Sequence, residues 1–434
     1  MKMRKGTEIN MNENKSMMKE MEELFTFILQ QIEGTKLPKG KKSQIREEIL
    51  GLQSFIVGSR PARMAIVGRR GAGKSSLINA IFGELKADIG DYKSQTGEGK
   101  WYVFENASGA LDILDTRGLG ESHIPQEESV AKTAVDEVKQ SINEKCPDVL
   151  LFLCKGKEVG ARLDDDIAQL VQLKEEVYAA HSYNVPIVGI VTQVDEMAPM
   201  SNSEPPFDHP KKQENISAAV DILQKKLTNY IATPINVIPT SAYLEYESGE
   251  VVYDRRFNID VLLEYLMTEL PKEAQVILAK LSKIKSVQKK LARTIGKSVM
   301  TTNGLIGATP VPVGDMPIIT GLQLSMISTI AIISGKKLNR KTLVQFVGAM
   351  GVNVGVGVAL RTVSRQLVKF LPGAGSVISG AIASAGTYAL CEAAIAYFID
   401  RQSEEEAKQV YKQSFKQEEQ RLQEEEKKEN EYLK

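Results

Sequence analysis

One eight-residue segment limits what this chain can fold into more than any other feature. Residues 68–75 read Gly-Arg-Arg-Gly-Ala-Gly-Lys-Ser, which matches the pattern G-x-x-x-x-G-K-[ST]. The apolar stretch Ala62–Val67 precedes this segment, and an apolar helical pattern over Ser75–Phe82 follows it. A strand that turns through glycines into a helix presents main-chain N–H groups to phosphate oxygens. The segment therefore predicts an α/β fold with a phosphate-binding loop.

Each residue type in this loop has a part in binding a nucleotide. The glycines let the main chain wrap round phosphate, and we expect Lys74 to place a positive charge against the β- and γ-phosphates. We expect the Ser75 hydroxyl to ligate Mg²⁺. The residues predicted to contact the nucleotide here are Arg70, Gly71, Ala72, Gly73, Lys74, Ser75 and Ser76.

A second motif ends a strand further along the chain. The strand pattern Leu111–Leu114 runs into Asp115-Thr116-Arg117-Gly118, which is the pattern Asp-x-x-Gly. We expect Asp115 to hold Mg²⁺ through water and the Gly118 amide to sense the γ-phosphate. Asp-x-x-Gly is a weak signal by itself, but after a phosphate-binding loop and at the end of a strand it is specific.

Two further segments concern the base of the nucleotide. Asp195 follows an apolar strand pattern within Thr192-Gln193-Val194-Asp195. Guanine offers two neighbouring N–H donors to one carboxylate and adenine offers no such pair, so Asp195 favours GTP over ATP. Ser241 and Ala242 end the last strand pattern, where the Ala242 amide can contact the guanine carbonyl.

The predicted α/β part lies between helical segments at the two ends of the chain. Between residues 60 and 270, apolar strand patterns alternate with longer helical patterns, which predicts a mainly parallel sheet flanked by helices. The predicted strands are Ala62–Val67, Trp101–Glu105, Leu111–Leu114, Val149–Cys154, Val185–Val191 and Ile235–Pro239. We interpret the polar stretch Met197–Lys212 as a surface loop. The predicted divisions are N-terminal helices at 1–59, the α/β domain at 60–270, a basic and apolar helical domain at 271–400 and a charged helical tail at 401–434.

With these motifs in this order, residues 60–270 resemble the GTPase domain of the Era-type, translation-factor-related superfamily. The resemblance implies a Ras-like fold, GTP or GDP and Mg²⁺ as ligands, and GTP hydrolysis as the activity. It makes Thr96 the switch I threonine and a metal ligand beside Ser75 and Asp115. It also implies that Lys74, Thr96 and Gly118 are catalytic. The guanine-reading residues that it implies are Thr192, Gln193, Asp195, Ser241 and Ala242.

Three positions depart from the pattern of that superfamily. Gln193 stands where a Lys is usual, which removes an aliphatic stem from beside the base. Gly71 stands where potassium-activated members commonly have Asn, so potassium dependence is not expected. Leu119 stands where Ras-like proteins have the Gln that positions water, so we expect slow intrinsic hydrolysis that needs help from switch I or a partner. Three arginines are either charge neutralisers or solvated loop residues: Arg69, Arg70 and Arg117.

The C-terminal half is basic and apolar, although the whole chain has 55 Lys+Arg and 55 Asp+Glu. Residues 274–399 hold fourteen Lys/Arg and two acidic residues, a net charge of +12. Lys280–Lys297 predicts one basic amphipathic helix, which can lie on an anionic membrane surface or pack on a neighbouring domain with its charges solvated. Three charge-free runs, Met316–Gly335, Thr342–Leu360 and Phe370–Cys391, are long enough to span a bilayer. The basic connectors between them argue against simple spanning.

The helical region also carries a resemblance. Through Thr309–Asp315 and Leu371–Gly375, the region Ile295–Phe398 resembles an uncharacterised helical domain that occurs behind Era-type GTPase domains in bacteria. Helices on both sides of the GTPase domain are similar to the layout of immunity-related and dynamin-like GTPases. In those proteins both ends of the chain form one helical module.

Together these features predict a Mg²⁺-dependent GTPase switch in the cytoplasm, associated with the cytoplasmic face of a membrane. We expect its helical domain to bind that membrane or to self-associate according to nucleotide state, with a homodimer through the GTPase face as one form. The alternatives are a soluble GTPase that docks on RNA or a ribosomal assembly, and a nucleotide-dependent scaffold that does not hydrolyse GTP. Nucleic acid is less favoured because no recognised RNA-binding module is visible. Three dispersed cysteines and the absence of a signal-peptide pattern favour a reducing cytosol.

Overall fold

The chain folds into two compact units. In the computed structural model the described residues are 19, 21–34, 38–85, 101–106, 109–116, 138–161, 163–307, 315–336, 343, 346, 349–350 and 380–432. The α/β unit comprises residues 61–287, and the helical unit combines residues 1–60 with residues 288–434. Helices from both ends of the chain therefore form one module, as the sequence predicts.

Six strands form the sheet of the α/β unit, in the order β2-β3-β1-β4-β5-β6. They are β1 (Ala62–Val67), β2 (Trp101–Asn106), β3 (Gly109–Asp115), β4 (Val149–Lys155), β5 (Ile187–Thr192) and β6 (Val237–Pro239). Among these six, β2 runs antiparallel to β3 and the other pairs are parallel, so the predicted mainly parallel sheet is confirmed. The three central strands β1, β4 and β5 are almost entirely buried, as expected of parallel strands that helices cover on both faces.

Within the described residues, six helices accompany this sheet. They are α3 (Lys74–Phe82), α4 (residues 138–144), α5 (Asp164–His181), α6 (Pro210–Ile231), α7 (Ile259–Glu269) and α8 (Lys272–Ser282). Apolar residues at helical spacing, such as Leu170 and Val177 of α5 and Leu223 and Leu227 of α6, are fully buried in the core of the unit. This burial fixes the strands whose ends carry the sequence motifs.

The register of the sheet brings those motifs to one edge. Ile66 pairs with Asp115, Val67 with Phe152, and Lys155 with Thr192. The carboxyl ends of β1, β3, β4 and β5 therefore lie side by side. Ligands of open parallel sheets bind at this edge, so the topology gathers residues that are far apart in the sequence.

A two-stranded hairpin follows the last strand of the main sheet and was not predicted. Its strands are β7 (Leu244–Glu247) and β8 (Glu250–Asp254), joined at Ser248 and Gly249, which both have positive φ. The strands are short and largely exposed, so they lack the apolar pattern that reveals a buried strand. The local signal was the Ser-Gly pair between two short runs.

The helical unit combines apolar and charged helices with closely packed faces. Its described helices are α1 (residues 21–34), α2 (Lys39–Ile56), α10 (Asp315–Ile333), Gly380–Ala394 and Glu404–Tyr432. Helix α9 (Lys285–Gly307) belongs to this unit from residue 288 onward. A Cβ atom on Gly321 of α10 would lie 2.9 Å from the Ile28 side chain of α1, so the small residue permits a close contact. Asn303 of α9 and Gln323 of α10 each donate a hydrogen bond of 3.0 Å to the buried Thr387 hydroxyl. Packing inside this unit thus accounts for Gly321 and Gln323 in the otherwise largely apolar α10.

The three charge-free runs differ in what the structure describes of them. The run Met316–Gly335 lies largely in α10, whereas most of Thr342–Leu360 and much of Phe370–Cys391 lie outside the described residues. Within the ranges given above, no helix combines the length and the apolar character needed to cross a bilayer.

The prediction of one basic helix over Lys280–Lys297 is wrong. Helix α8 ends at Ser282, Lys283 has a φ of 56°, and α9 starts at Lys285. The Ser282 hydroxyl accepts the Ile284 N–H at 3.3 Å and so satisfies a main-chain donor at the break. Ile277 and Leu281 of α8 pack at Gly109 of β3.

The core changes shortly after the break. The buried residues up to Val287 belong to the α/β unit, and Leu291 and Ile295 are buried in the helical unit. In the structure the division between the two units falls after Val287, whereas the sequence predicts a domain boundary after residue 270. The apolar stripe within Lys280–Lys297, which in the sequence resembles a membrane-binding face, is buried in two protein cores.

Candidate nucleotide-binding site

The loop between β1 and α3 has the main-chain conformation that its glycines require. Gly71 has a φ of 78° and Gly73 a φ of 90°, both in the left-handed region that favours glycine. A Cβ atom on Gly68 would lie 2.7 Å from the Leu153 carbonyl oxygen. Gly73 is the N-cap of α3 and supplies no side chain, so the first N–H groups of the helix face outward without a side-chain cap. This arrangement fits phosphate oxygens.

The lysine of the loop folds back over it. Lys74 Nζ donates to the carbonyl oxygens of Gly68 at 2.6 Å and Arg69 at 3.3 Å. Ser75 and Ser76 follow in the first turn of α3 and are half-buried. The loop therefore gathers an ammonium group and two hydroxyls at one helix N-terminus, where the helix dipole also favours an anion.

The two neighbouring arginines of the loop have different surroundings. Arg69 Nε donates to Asp166 Oδ2 of α5 at 2.7 Å, so its guanidinium is anchored to the protein. Burial raises the pKa of the Asp166 carboxyl, and the charge and hydrogen bond of Arg69 oppose that rise. Arg70 is exposed as well, but no described carboxylate anchors it. Of this pair, Arg70 is therefore the one expected to meet a phosphate.

The segment after β5 is bonded directly to the phosphate loop. The Thr192 hydroxyl donates to the Ala72 carbonyl oxygen at 2.8 Å, and Gln193 Nε2 donates to the Gly71 carbonyl oxygen at 3.0 Å. Gln193 itself has a φ of 57°. The residue that departs from the superfamily pattern thus connects the base-reading segment to the phosphate loop.

Asp195 lies in a 3₁₀ turn, Val194–Glu196, that a buried lysine holds closed. Lys212 Nζ donates to the carbonyl oxygens of Asp195 at 2.8 Å and Met197 at 2.5 Å. The Lys212 side chain is fully buried and its ammonium lies 5.0 Å from the centre of the Phe207 ring. Burial lowers the pKa of this ammonium, and the Asp195 carboxylate opposes the shift.

Sequence reasoning missed Lys212. It was interpreted as the end of a polar surface loop, but it lies in the first turn of α6, which begins at Pro210. Proline is common at the first position of a helix, so Pro210 was the available signal for the helix start. Nothing in the local pattern indicates that the amine is buried.

The segment after β6 lies beside the Asp195 turn. The N–H of Val194 donates to the Thr240 carbonyl oxygen at 3.3 Å, and Ser241 exchanges main-chain hydrogen bonds with Phe257. The hydroxyl oxygens of Thr240 and Ser241 are buried and have no hydrogen-bond partner within the described part of the chain. Ala242 is half-buried next to them. The structure thus brings together the two segments predicted to read guanine.

The metal side of the site is only partly described. Asp115 ends β3 in register with Ile66, and the Thr116 hydroxyl donates to the Ile66 carbonyl oxygen at 2.9 Å. The Asp115 side chain and the residues Thr96, Arg117, Gly118 and Leu119 lie outside the described residues. The half-buried Ser75 hydroxyl and a carboxylate at the end of β3 are the oxygen donors that Mg²⁺ prefers.

Comparison with known families confirms the resemblance inferred from the motifs. Residues 63–191 match the sequence model of a family described as 50S ribosome-binding GTPase. Residues 272–423 match a second family, described as Domain of unknown function (DUF697). The chain therefore carries a P-loop GTPase domain, followed by a domain of unknown function. The likeness to the layout of immunity-related and dynamin-like GTPases stays a prediction.

Individual relatives match the GTPase part. GTPase Der of Aquifex aeolicus (strain VF5) is 30% identical over 142 residues, which are 32% of this chain and 29% of that protein. GTPase Der of Oceanobacillus iheyensis is 31% identical over 115 residues, or 26% of this chain and 24% of that protein. The chain thus covers less than a third of the length of either relative.

Two solved structures also align with the chain. Era in complex with MgGDPNP and 16S ribosomal RNA aligns over 59% of this chain and 70% of its own, with 18% identity and a TM-score of 0.33. Toc33 of Arabidopsis thaliana with Mg²⁺ and GMPPNP aligns over 57% of this chain and 92% of its own, with 15% identity and a TM-score of 0.32.

Proposed function

We propose that this protein is a Mg²⁺-dependent GTP hydrolase that works as a nucleotide-controlled switch. The observation that carries the proposal is the pair of hydrogen bonds from Thr192 and Gln193 to the phosphate loop. They hold the segment that ends in Asp195 at a fixed place relative to the loop that cradles phosphate. One rigid site can then read the base and the phosphates of the same nucleotide.

The base-reading step follows from the chemistry of Asp195. Its carboxylate can accept the two N–H donors of guanine. The Ala242 amide, which follows Thr240 and Ser241 beside this segment, would donate to the guanine carbonyl. An adenine base would leave the carboxylate without its donors, and the penalty for such an unmet polar group is about 1–3 kcal/mol.

The hydrolytic step depends on charge and position. The uncapped N–H groups of α3 and the Lys74 ammonium bind phosphate, and Ser75 with Asp115 would hold Mg²⁺. The metal, when bound, neutralises charge on the β- and γ-phosphates. The residues Thr96 and Gly118 are proposed, from the resemblance, to complete the group around the γ-phosphate. With Leu119 in place of a water-positioning amide, the intrinsic rate is expected to be slow.

Nucleotide titration and single-turnover hydrolysis test this proposal. The expected result is tight binding of GTP and GDP in the presence of Mg²⁺, weaker binding of ATP, and release of phosphate from GTP. Equal affinity for ATP and GTP would remove the guanine assignment. Tight GTP binding without any phosphate release over hours would favour the non-hydrolysing scaffold.

We further propose that the helical unit engages an anionic membrane surface at the cytoplasmic face, or assembles with itself, according to the bound nucleotide. What supports the membrane proposal is the series of exposed lysines along α9: Lys285 at the start of the helix, and Lys290 and Lys297 in the part that belongs to the helical unit. Part of this helix is neutralised, because Lys289 pairs with Asp400 and Arg293 with Glu392. The attraction is therefore electrostatic, with about 1 kcal/mol for each exposed cation near the surface.

Sedimentation with phosphatidylserine vesicles tests the membrane proposal. Replacing Lys285, Lys290 and Lys297 by Glu should release the protein, and salt should do the same. The matched control replaces three exposed lysines of the helix Glu404–Tyr432, namely Lys408, Lys412 and Lys416. Equal binding by both triple variants would contradict a role for α9. A shift in oligomeric state with GTP, without vesicle binding, would favour self-assembly, including a homodimer through the GTPase face.

A soluble GTPase that docks on RNA or a ribosomal assembly is the second candidate. The description of the matched family as 50S ribosome-binding GTPase favours it, and the basic C-terminal part offers charges for phosphate. If a fraction of the protein sediments with ribosomal subunits in the presence of nucleotide, and none sediments with vesicles, this candidate would be supported over the membrane proposal.

A further inference from the structure

The last residue of β4 places a second lysine beside the phosphate loop. A Cβ atom built on Gly71 would lie 3.2 Å from Lys155 Nζ and 3.5 Å from Lys155 Cε, and the ammonium is the nearest atom to that position. Lys155 pairs in the sheet with Thr192, which itself bonds the loop at Ala72. The ammonium thus lies at the same edge of the sheet as the residues that bind the nucleotide.

Lys155 has a partner that it can release. Its ammonium lies 3.2 Å from the Glu158 carboxylate, three residues along, and the two side chains are 27% and 40% exposed. Ion pairs with this much exposure contribute little to stability because water screens them. A di- or triphosphate carries more negative charge than one carboxylate and offers several acceptor oxygens, so it competes well for the ammonium.

The neighbouring position supplies no charge. Gln193 donates a hydrogen bond to the Gly71 carbonyl oxygen, but its amide is neutral. Lys155 therefore brings a positive charge to the main chain at Gly71, while Gln193 brings the hydrogen bond. Of the two arginines in the loop, Arg69 is held by Asp166 and Arg70 is exposed, so Lys155 adds to the charge that Arg70 supplies.

We propose that Lys155 is a phosphate-binding residue, which leaves Glu158 and contacts the phosphates of a bound guanine nucleoside di- or triphosphate. This inference rests on the proposed nucleotide function and adds a residue to it that the motifs do not contain. Its chemistry is charge-assisted hydrogen bonding from an ammonium to phosphate oxygen. Glu158 then acts as a competitor, because it holds the same ammonium when no nucleotide is bound.

The alternative role for this pair is a local one, in which Lys155 and Glu158 only stabilise the 3₁₀ turn Gly156–Glu158 at the end of β4. The two roles predict opposite effects of Glu158→Gln on nucleotide binding. If the pair only stabilises the turn, losing either partner should change the nucleotide affinity in the same direction. If Lys155 binds phosphate, Lys155→Gln weakens nucleotide binding and Glu158→Gln strengthens it, because the competing carboxylate is gone.

The experiment measures the affinities of GTP, GDP and GMP by calorimetry with Mg²⁺, on the full chain. We expect Lys155→Gln to bind GTP and GDP about ten-fold more weakly, the usual effect of losing one charged hydrogen bond. Its affinity for GMP should fall much less, because GMP lacks the β- and γ-phosphates. The double variant Lys155→Gln/Gln193→Lys should regain much of the lost affinity for GTP and GDP, because the new lysine places a positive charge beside Gly71.

The matched control is Lys157→Gln. Lys157 lies two residues away, is exposed and pairs with Glu196 at 3.4 Å. Thermal melts of every variant check that the fold is retained. The proposal is overturned if Lys155→Gln binds GTP as tightly as Lys157→Gln, or if Glu158→Gln weakens binding as much as Lys155→Gln does. Wild-type protein that binds none of the three nucleotides would instead remove the proposed function, and this inference with it.

Discussion

Replacing Lys212 by Met tests whether a buried ammonium holds the guanine-reading turn in place. In the wild type the ammonium closes the turn by hydrogen bonds of 2.8 Å to Asp195 O and 2.5 Å to Met197 O. Methionine has a similar length and no donor, so it fills the space and leaves both carbonyl oxygens without a partner. The substitution therefore removes the clamp with little change of packing.

The magnitude follows from the two bonds and from the burial of the charge. Each hydrogen bond from a charged donor contributes about 1.5–3 kcal/mol. The desolvation that lowers the pKa of Lys212 offsets part of this gain. We therefore expect a net loss of about 2–3 kcal/mol, which lowers the melting temperature of a unit of this size by about 5–10 °C.

The same substitution should weaken nucleotide binding through the position of Asp195. If the released turn holds the carboxylate in place for about a tenth of the time, the dissociation constant of GTP rises about ten-fold. Binding of inorganic pyrophosphate to the phosphate loop should change less, because it needs no base contact. The assays are thermal melts and calorimetric titration with GTP and pyrophosphate.

The neighbouring lysine provides a matched control. Lys211 is exposed and pairs only weakly, with Glu214 at 2.9 Å on the surface of α6. Lys211→Met should leave both the melting temperature and the affinity unchanged. A Lys212→Met protein that melts and binds GTP like Lys211→Met would refute the reasoning, because the two bonds would then support neither the fold nor the turn.

Three further substitutions test the site. Asp195→Asn should weaken GTP binding by about 2 kcal/mol or more and admit xanthine nucleotide, since the amide complements a base with a carbonyl in place of the amino group; unchanged GTP affinity in a titration would remove the guanine assignment. Lys74→Ala should abolish nucleotide binding or hydrolysis while the circular dichroism spectrum stays that of the wild type, and retained turnover would contradict the phosphate-loop assignment. Arg70→Ala should slow single-turnover hydrolysis more than Arg69→Ala does, because Asp166 anchors Arg69; a larger effect at Arg69 would reverse their roles.

The sequence by itself determined the parts of the site that depend on neighbouring residues. The loop Gly68–Ser75 is readable because the strand, the glycines and the helix start are consecutive in the chain, and the structure places them as expected. The buried strands were readable because continuous apolar runs of that length are typical of parallel strands. The order of Asp115, Asp195 and Ser241 along these strands indicated one nucleotide site, since parallel strands end at the same edge.

Contacts between distant parts of the chain were decided only by the tertiary structure. From the sequence, Gln193 is only the position at which the usual lysine is missing. In the fold its side-chain amide donates a hydrogen bond to the Gly71 carbonyl oxygen. Lys155 and Lys212 belong to no motif, and each gains its place from packing between elements. A side chain several bonds long can reach many partners, so its partner depends on which elements lie within reach and not on its own neighbours in the chain.

The region Lys280–Lys297 shows the same division on a larger scale. Its periodicity correctly indicated that one face is apolar and the other basic. Periodicity reports that a face is buried, but not what buries it, because the free energy of burial depends on the area removed from water and is not directional. A membrane, one domain or two domains satisfy the pattern equally well. In the tertiary structure two protein cores bury this face, and the helix is interrupted at Lys283.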